Sequence, residues 1–176
     1  LSSFFSLGFF SYSFLLLYAQ DFGFNIVFIP VLYLIFTAVA FLASMPFGKL
    51  ADSMGRKSVL FISYAFWILA CLVFLLFQSY AGIIAAFVLY GLHKGAFEPV
   101  KTALTAELSP PQYRASGLGF FQMITGLCAL PASLIAGLIW DKYGKFAPFY
   151  FALALTVLAS ILLIFVGEKR NEVKNG

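Results

Sequence analysis

Four ionisable side chains, His93, Lys94, Glu98 and Lys101, fall inside an otherwise apolar stretch between Ala81 and Glu107. On a helix turning about 100° per residue they lie at about 0°, 100°, 140° and 80° relative to His93, within one arc of about 140°. Tyr90, Phe97 and Thr105 share that arc, whereas Leu92, Ala96, Pro99, Val100 and Ala103 occupy the rest. Lys94 to Glu98 is an i,i+4 spacing and Glu98 to Lys101 an i,i+3 spacing, so Glu98 can pair with either lysine. A carboxylate that exchanges partners can act as a switch, because burial and neighbouring cations pull its protonation in opposite directions. The same lysines can anchor an anion. The alternative for the whole group is a structural ion pair fixing this helix to a neighbour; for His93 it is a buried, hydrogen-bonded ring. Pro99 cannot donate to the carbonyl of Gly95, which predicts a helix bend at Gly95 and Pro99 beside the charges.

The elements that carry these residues follow from composition. Of 176 residues, 62% are hydrophobic, 19% aromatic and only 10% charged. Soluble domains run at about 45–50% apolar and about 25% charged, so an ordinary water-soluble protein is excluded. At about 20 residues per span the length allows roughly six transmembrane helices. The uncharged runs, divided at the polar break Gln78-Ser79-Tyr80 before Gly82, predict spans at 1–20, 23–48, 58–78, 82–107, 114–139 and 146–167, followed by a polar tail at 168–176. Continuous apolar runs of this length do not alternate as barrel strands must, and helices satisfy their own backbone groups in lipid. A helix with so polar a stripe as span four cannot turn it toward lipid; it must face protein or a water-filled cavity.

Charge placement predicts orientation. Lys49, Arg56, Lys57, Arg114, Lys169, Arg170 and Lys174 would share one side, against Lys142 and Lys145 on the other. The positive-inside rule puts both ends of the chain in the cytoplasm. The net charge of +4 therefore reflects basic loops beside an anionic leaflet rather than nucleic-acid binding. Cys71 and Cys128 sit in different spans and read as small buried hydrophobes, with no metal-ligand spacing. Ser116 lies at the start of span five, roughly four turns from His93, too far for a nucleophile and its base. No phosphate-binding glycine loop, metal cluster or cofactor motif appears, so neither enzyme chemistry nor a cofactor is expected.

One pattern occurs twice. Gly48-Lys-Leu-Ala-Asp52-Ser-Met-Gly55-Arg56-Lys57 and Gly137-Leu-Ile-Trp-Asp141-Lys-Tyr-Gly144-Lys145 both read G-x-x-x-D-x-x-G-[RK], offset by 89 positions. Three spans separate them, so the copies face opposite sides of the membrane, as an inverted three-plus-three repeat predicts. In the first copy Gly48 would let helix ends approach, Gly55 would permit the turn, and Asp52 would accept from exposed amides at a helix start. Arg56 and Lys57 would hold the loop against lipid phosphates. A gating loop is the functional expectation, a plain cytoplasmic turn the other; the second copy is expected to be a structural turn.

The segment 48–57 resembles the signature loop between the second and third helices of each six-helix half in the major facilitator superfamily, with Ser53 where the family often has Arg. The run Glu107-Leu-Ser-Pro110-Pro111-Gln-Tyr-Arg114-Ala-Ser-Gly117 is similar to that family's loop between the fourth and fifth helices. The resemblance implies an all-α membrane protein, half of a twelve-helix fold, whose first and fourth helices line a central cavity. Serines and tyrosines of span one, Ser2, Ser3, Ser6, Ser11, Tyr12, Ser13 and Tyr18, could then add hydroxyls. Antiporter N-terminal halves carry R-x-x-x-Q-G where this chain has Tyr90-Gly-Leu-His-Lys94-Gly95. With no Met at position 1 and a polar tail at the end, the C-terminal half is expected, its partner the N-terminal six-helix half. The implied function is secondary active transport of a small molecule by alternating access, coupled to protons, in a bacterial inner (plasma) membrane. Proton-driven efflux of lipophilic compounds is the runner-up, with a channel or a membrane scaffold behind it.

Overall fold

The computed structural model describes residues 12–21, 23 and 26–165, and is helical almost throughout. Among the described residues six helices follow one another: α1 (Tyr12–Asp21), α2 (Ile29–Met54), α3 (Arg56–Leu76), α4 (Tyr80–Leu108), α5 (Arg114–Tyr143) and α6 (Ala147–Ile164). Short 3-10 turns precede α2 and α5. Five of the segments, those carrying α2 to α6, are long and apolar enough to cross a membrane. Ser2, Ser3, Ser6 and Ser11, the start of span one and the tail 168–176 with Lys169, Arg170 and Lys174 lie outside the described residues.

Local chemistry sets the helix ends. Pro30 and Pro148 occupy the first turns of α2 and α6, where a missing N–H costs nothing. Ser79 caps α4, its hydroxyl accepting from the Gly82 amide at 3.1 Å. Within the helices, hydroxyls turn back onto their own backbone: Thr105 donates to Lys101 O, Thr125 to Phe121 O and Thr156 to Ala152 O. In an apolar surround a hydroxyl without such a bond costs roughly 2–7 kcal/mol.

The segment 48–57 is not the loop its sequence suggests. Helix α2 runs on through Gly48 and Asp52 to Met54, and the turn is reduced to Gly55, with φ 93° and ψ 145°. A Cβ placed on Gly48 would meet nothing within 4 Å, so Gly48 does not mediate a close helix approach within this chain. The second copy behaves alike: α5 continues through Gly137 and Asp141 to Tyr143, and Gly144 turns with φ 90° and ψ 171°. Each glycine amide bonds four residues back, Gly55 to Ala51 O at 3.1 Å and Gly144 to Trp140 O at 2.9 Å. Positive φ is what confines both positions to glycine.

Helix α4 is the centre of the bundle, packed between α2 and α3. Gly91 and Gly95, one turn apart, make the contact with α2 close. A Cβ on Gly91 would sit 2.7 Å from Phe36 O, and one on Gly95 2.7 Å from Ala40 O and Ala43 Cβ. Small residues at this spacing let two membrane helices approach backbone to backbone. Two buried clusters flank the middle of α4. One gathers Tyr18, Trp67, Phe74, Phe87, Tyr90 and Phe149; the other gathers Val59, Leu60, Tyr64, Phe97, Val100 and Leu163. Helix α5 is peripheral, burying only Ala132 and Ala136. Its Gly119, Gly126 and Gly137 have open space beside them, whereas Gly117 packs closely against Ser109.

Candidate functional site

Helix α4 divides the polar stripe into two groups. Lys94, Glu98 and Lys101 come together: Lys94 Nζ lies 3.1 Å from Glu98 Oε1, and Lys101 Nζ lies 2.7 Å from Oε2. Each carboxylate oxygen has its own lysine, so the two pairings coexist instead of alternating. The three side chains keep 25%, 45% and 21% of their surface exposed. Lys101 also lies over the Phe97 ring at 5.0 Å and the Phe121 ring of α5 at 6.0 Å, within cation–π range. The cluster thus holds one carboxylate, two ammonium groups and aromatic faces, a net single positive charge.

His93 and Tyr90 turn the other way, into the seam with α3. His93 is fully buried, and its Nδ1 lies 2.7 Å from the Ser63 carbonyl oxygen. A carbonyl only accepts, so Nδ1 carries a proton and donates. The imidazole stacks on Phe97 at 5.4 Å and on Tyr90 at 6.2 Å, with Trp67 at 5.7 Å. It joins the two buried clusters in one aromatic column. Gly95, expected at a bend, serves as a packing contact with α2, and α4 continues without interruption through Pro99.

The basic residues of the first turn do not stand free for lipid. Arg56 Nη1 pairs with Glu107 Oε2 at 2.7 Å and donates to Ala103 O at 2.8 Å. Lys57 Nζ donates to Ile164 O at 2.7 Å. The start of α3 is thereby tied to the C-terminal ends of α4 and α6, where cations complement the exposed carbonyls. Asp52 sits in the last turn of α2 and is exposed. Glu107 escaped the sequence reading as a partner; the signal is an acid at a helix C-terminus, unfavourable there without a cation.

At the other end of the bundle, Lys145 Nζ bonds Asp21 Oδ2, the last residue of α1, at 2.9 Å. Lys145 also lies 5.8 Å from the rings of Tyr18 and Phe146. Tyr18 is buried, donates to Phe74 O at 3.3 Å and packs edge-on against Phe74 and Phe149. The hydrogen bond to Asp21 keeps Lys145 protonated to a higher pH than an ordinary lysine.

No group of three or more His, Cys, Asp and Glu side chains suited to a metal occurs among the described residues. Cys71 is buried and Cys128 partly so. The arrangement is a set of charges held inside and at both ends of an apolar helical bundle.

Comparison with known proteins agrees. The sequence profile of the Major Facilitator Superfamily matches residues 1–176. An uncharacterized MFS-type transporter of Methanocaldococcus jannaschii is 37% identical over 172 residues, covering 94% of this chain and 43% of that protein. Multidrug resistance protein 3 of Bacillus subtilis is 27% identical over 127 residues, 72% of this chain and 25% of its own length. The quinolone resistance protein NorA of Staphylococcus aureus is 26% identical over 133 residues, 74% of this chain and 34% of its own length. The chain thus spans less than half the length of each of these curated relatives. The chain is an integral membrane protein and belongs to the major facilitator superfamily of transporters.

Proposed function

We propose that this chain is the C-terminal six-helix half of a secondary active transporter, moving a small molecule by alternating access with proton coupling. The observation that carries the proposal is the Glu98 carboxylate held between Lys94 and Lys101 at mid-helix, each oxygen on a separate ammonium. A carboxylate at membrane depth is costly and is kept where it does work. Protonating Glu98 would release both lysines at once, turning a cluster of net charge +1 into one of +2. An anionic group of a substrate could then take the place of the carboxylate. Proton and substrate would compete for one set of ammonium groups, which is a direct physical route to coupling.

In this reading the two G-x-x-x-D-x-x-G-[RK] copies mark a three-plus-three inverted repeat. The like geometry of Gly55 and Gly144 supports it. The end of the bundle carrying Arg56 and Glu107 is cytoplasmic by the positive-inside rule, with Gly48 and Asp52 at the end of α2, Gly55 at the turn, and Arg56 and Lys57 at the start of α3 forming the gating segment of an inner (plasma) membrane protein. Pro99, whose missing N–H leaves one bond out of the ladder beside Gly95, is the point at which α4 flexes. His93 and Tyr90 are assigned to the rigid seam with α3.

Efflux of lipophilic compounds is the second reading, favoured by the names of two relatives, a multidrug and a quinolone resistance protein. The Phe97 and Phe121 rings beside Lys101 would then carry more of the binding than the ammonium groups. The test is proton-driven transport by the complete protein in proteoliposomes, using the compound that most raises its thermal stability in a screen of organic anions, zwitterions and lipophilic cations. Glu98→Gln and Lys94→Ala should each lower the rate at least tenfold. If both transport at the unaltered rate, the cluster is a structural ion pair.

A further inference from the structure

The two glycine turns are alike beyond their sequence. In each, a glycine at φ near +90° ends one helix, and the next residue is basic. In each, that basic side chain reaches an acid at the C-terminal end of a helix from the other group of three. Arg56, the first residue of α3, takes Glu107 of α4; Lys145, between α5 and α6, takes Asp21 of α1. An acid at a helix C-terminus opposes the helix dipole, so neither Asp21 nor Glu107 favours its own helix. Both are accounted for by the cation that crosses to them. The pairs differ in exposure: Arg56 and Glu107 are 20% and 38% exposed, Lys145 and Asp21 37% and 53%.

We propose that Asp21, Lys145 and the Tyr18 ring beneath them form a second clasp, the counterpart at the far end of the bundle of Arg56 with Glu107, and that it releases when the transporter opens on that side. The proposal rests on the alternating-access reading. An ion pair this exposed adds little to the stability of the fold, but a small free energy suffices to bias two conformations of nearly equal energy. The Tyr18 hydroxyl on Phe74 O carries the effect of the clasp into α3, the helix whose other end holds Arg56. The two clasps thus share one helix, and opening one favours closure of the other.

Hydrogen–deuterium exchange on the complete transporter in proteoliposomes tests this with Asp21→Lys, Lys145→Asp and the double swap. Each single variant should speed exchange at the far-end amides of Gly23 and Gly144 by roughly two- to fivefold, the range an exposed ion pair supports. Exchange at the near-end amides of Gly55 to Ser58 should slow by a similar factor. The swap should restore both, with thermal stability unchanged throughout. A merely structural pair would leave the near end unaltered or loosen it too; either result, or a swap that restores nothing, overturns the proposal. Substrate transport by the unaltered protein, assayed on the same vesicles, separates the two readings. A protein that transports without the reciprocal change loses the clasp alone, whereas one that transports nothing loses the alternating-access reading beneath it.

Discussion

Glu98 and His93 lie five residues apart on one helix and do different work. The helical wheel places them in a single arc, and that much is correct, but a wheel cannot say which neighbouring helix covers which sector. Helix α3 covers the His93 side and leaves Lys94, Glu98 and Lys101 partly open, a division set by tertiary packing and invisible to spacing. His93→Leu removes the donor to the Ser63 carbonyl and should cost about 1–3 kcal/mol, read as a lower melting temperature in detergent. The pH dependence of transport should stay as it is, because the ring is a packing and hydrogen-bonding element; a shifted profile would make it a relay. Lys145 has its own pH signature. Its affinity for a proton is raised by Asp21, so the pair's contribution is complete below the ordinary lysine range and fades only as pH climbs through the raised value. Exchange at Gly144 should therefore be insensitive to pH, after correction for intrinsic rates, from about 6 to 9 and accelerate only in stronger alkali.

At the scale of the elements, hydropathy and the polar break at residues 78–80 carried most of the reading, because an apolar helix announces itself by length. The turns were harder. The sequence 48–57 is rich in polar and small residues, which suggests a loop, yet α2 keeps its hydrogen bonds to Met54 and spends only Gly55 on the reversal. Gly95, which the sequence places with Pro99 at a bend, is together with Gly91 a contact residue, because the backbones of α2 and α4 lie close. Gly95→Ala must push Ala40 or Ala43 aside and should destabilise the bundle by about 1–3 kcal/mol. Gly126→Ala, with nothing within 4 Å of the added Cβ, should leave it unchanged or slightly more stable. Thermal unfolding of the two variants side by side checks the contrast, and equal melting temperatures would contradict the packing described here.

For the whole molecule, the family was legible because two motifs and the order of spans agree, and the membrane class because so little charge is present. The ion pairs at the bundle ends were not legible, since Arg56 with Glu107 and Asp21 with Lys145 join residues 51 and 124 positions apart that only the folded chain brings together. An ion pair at each end of the bundle, with three charges gathered mid-helix on its central helix, suits a bundle whose two ends open in turn about an internal site. The most direct measurement compares Glu98→Gln with the unaltered transporter in two assays on the same vesicles. One assay is substrate accumulation driven by a proton gradient; the other is substrate counterflow with no gradient. The account predicts that the variant loses accumulation and keeps counterflow, because the carboxylate couples the proton while the helices still alternate. Accumulation at the unaltered rate would contradict it.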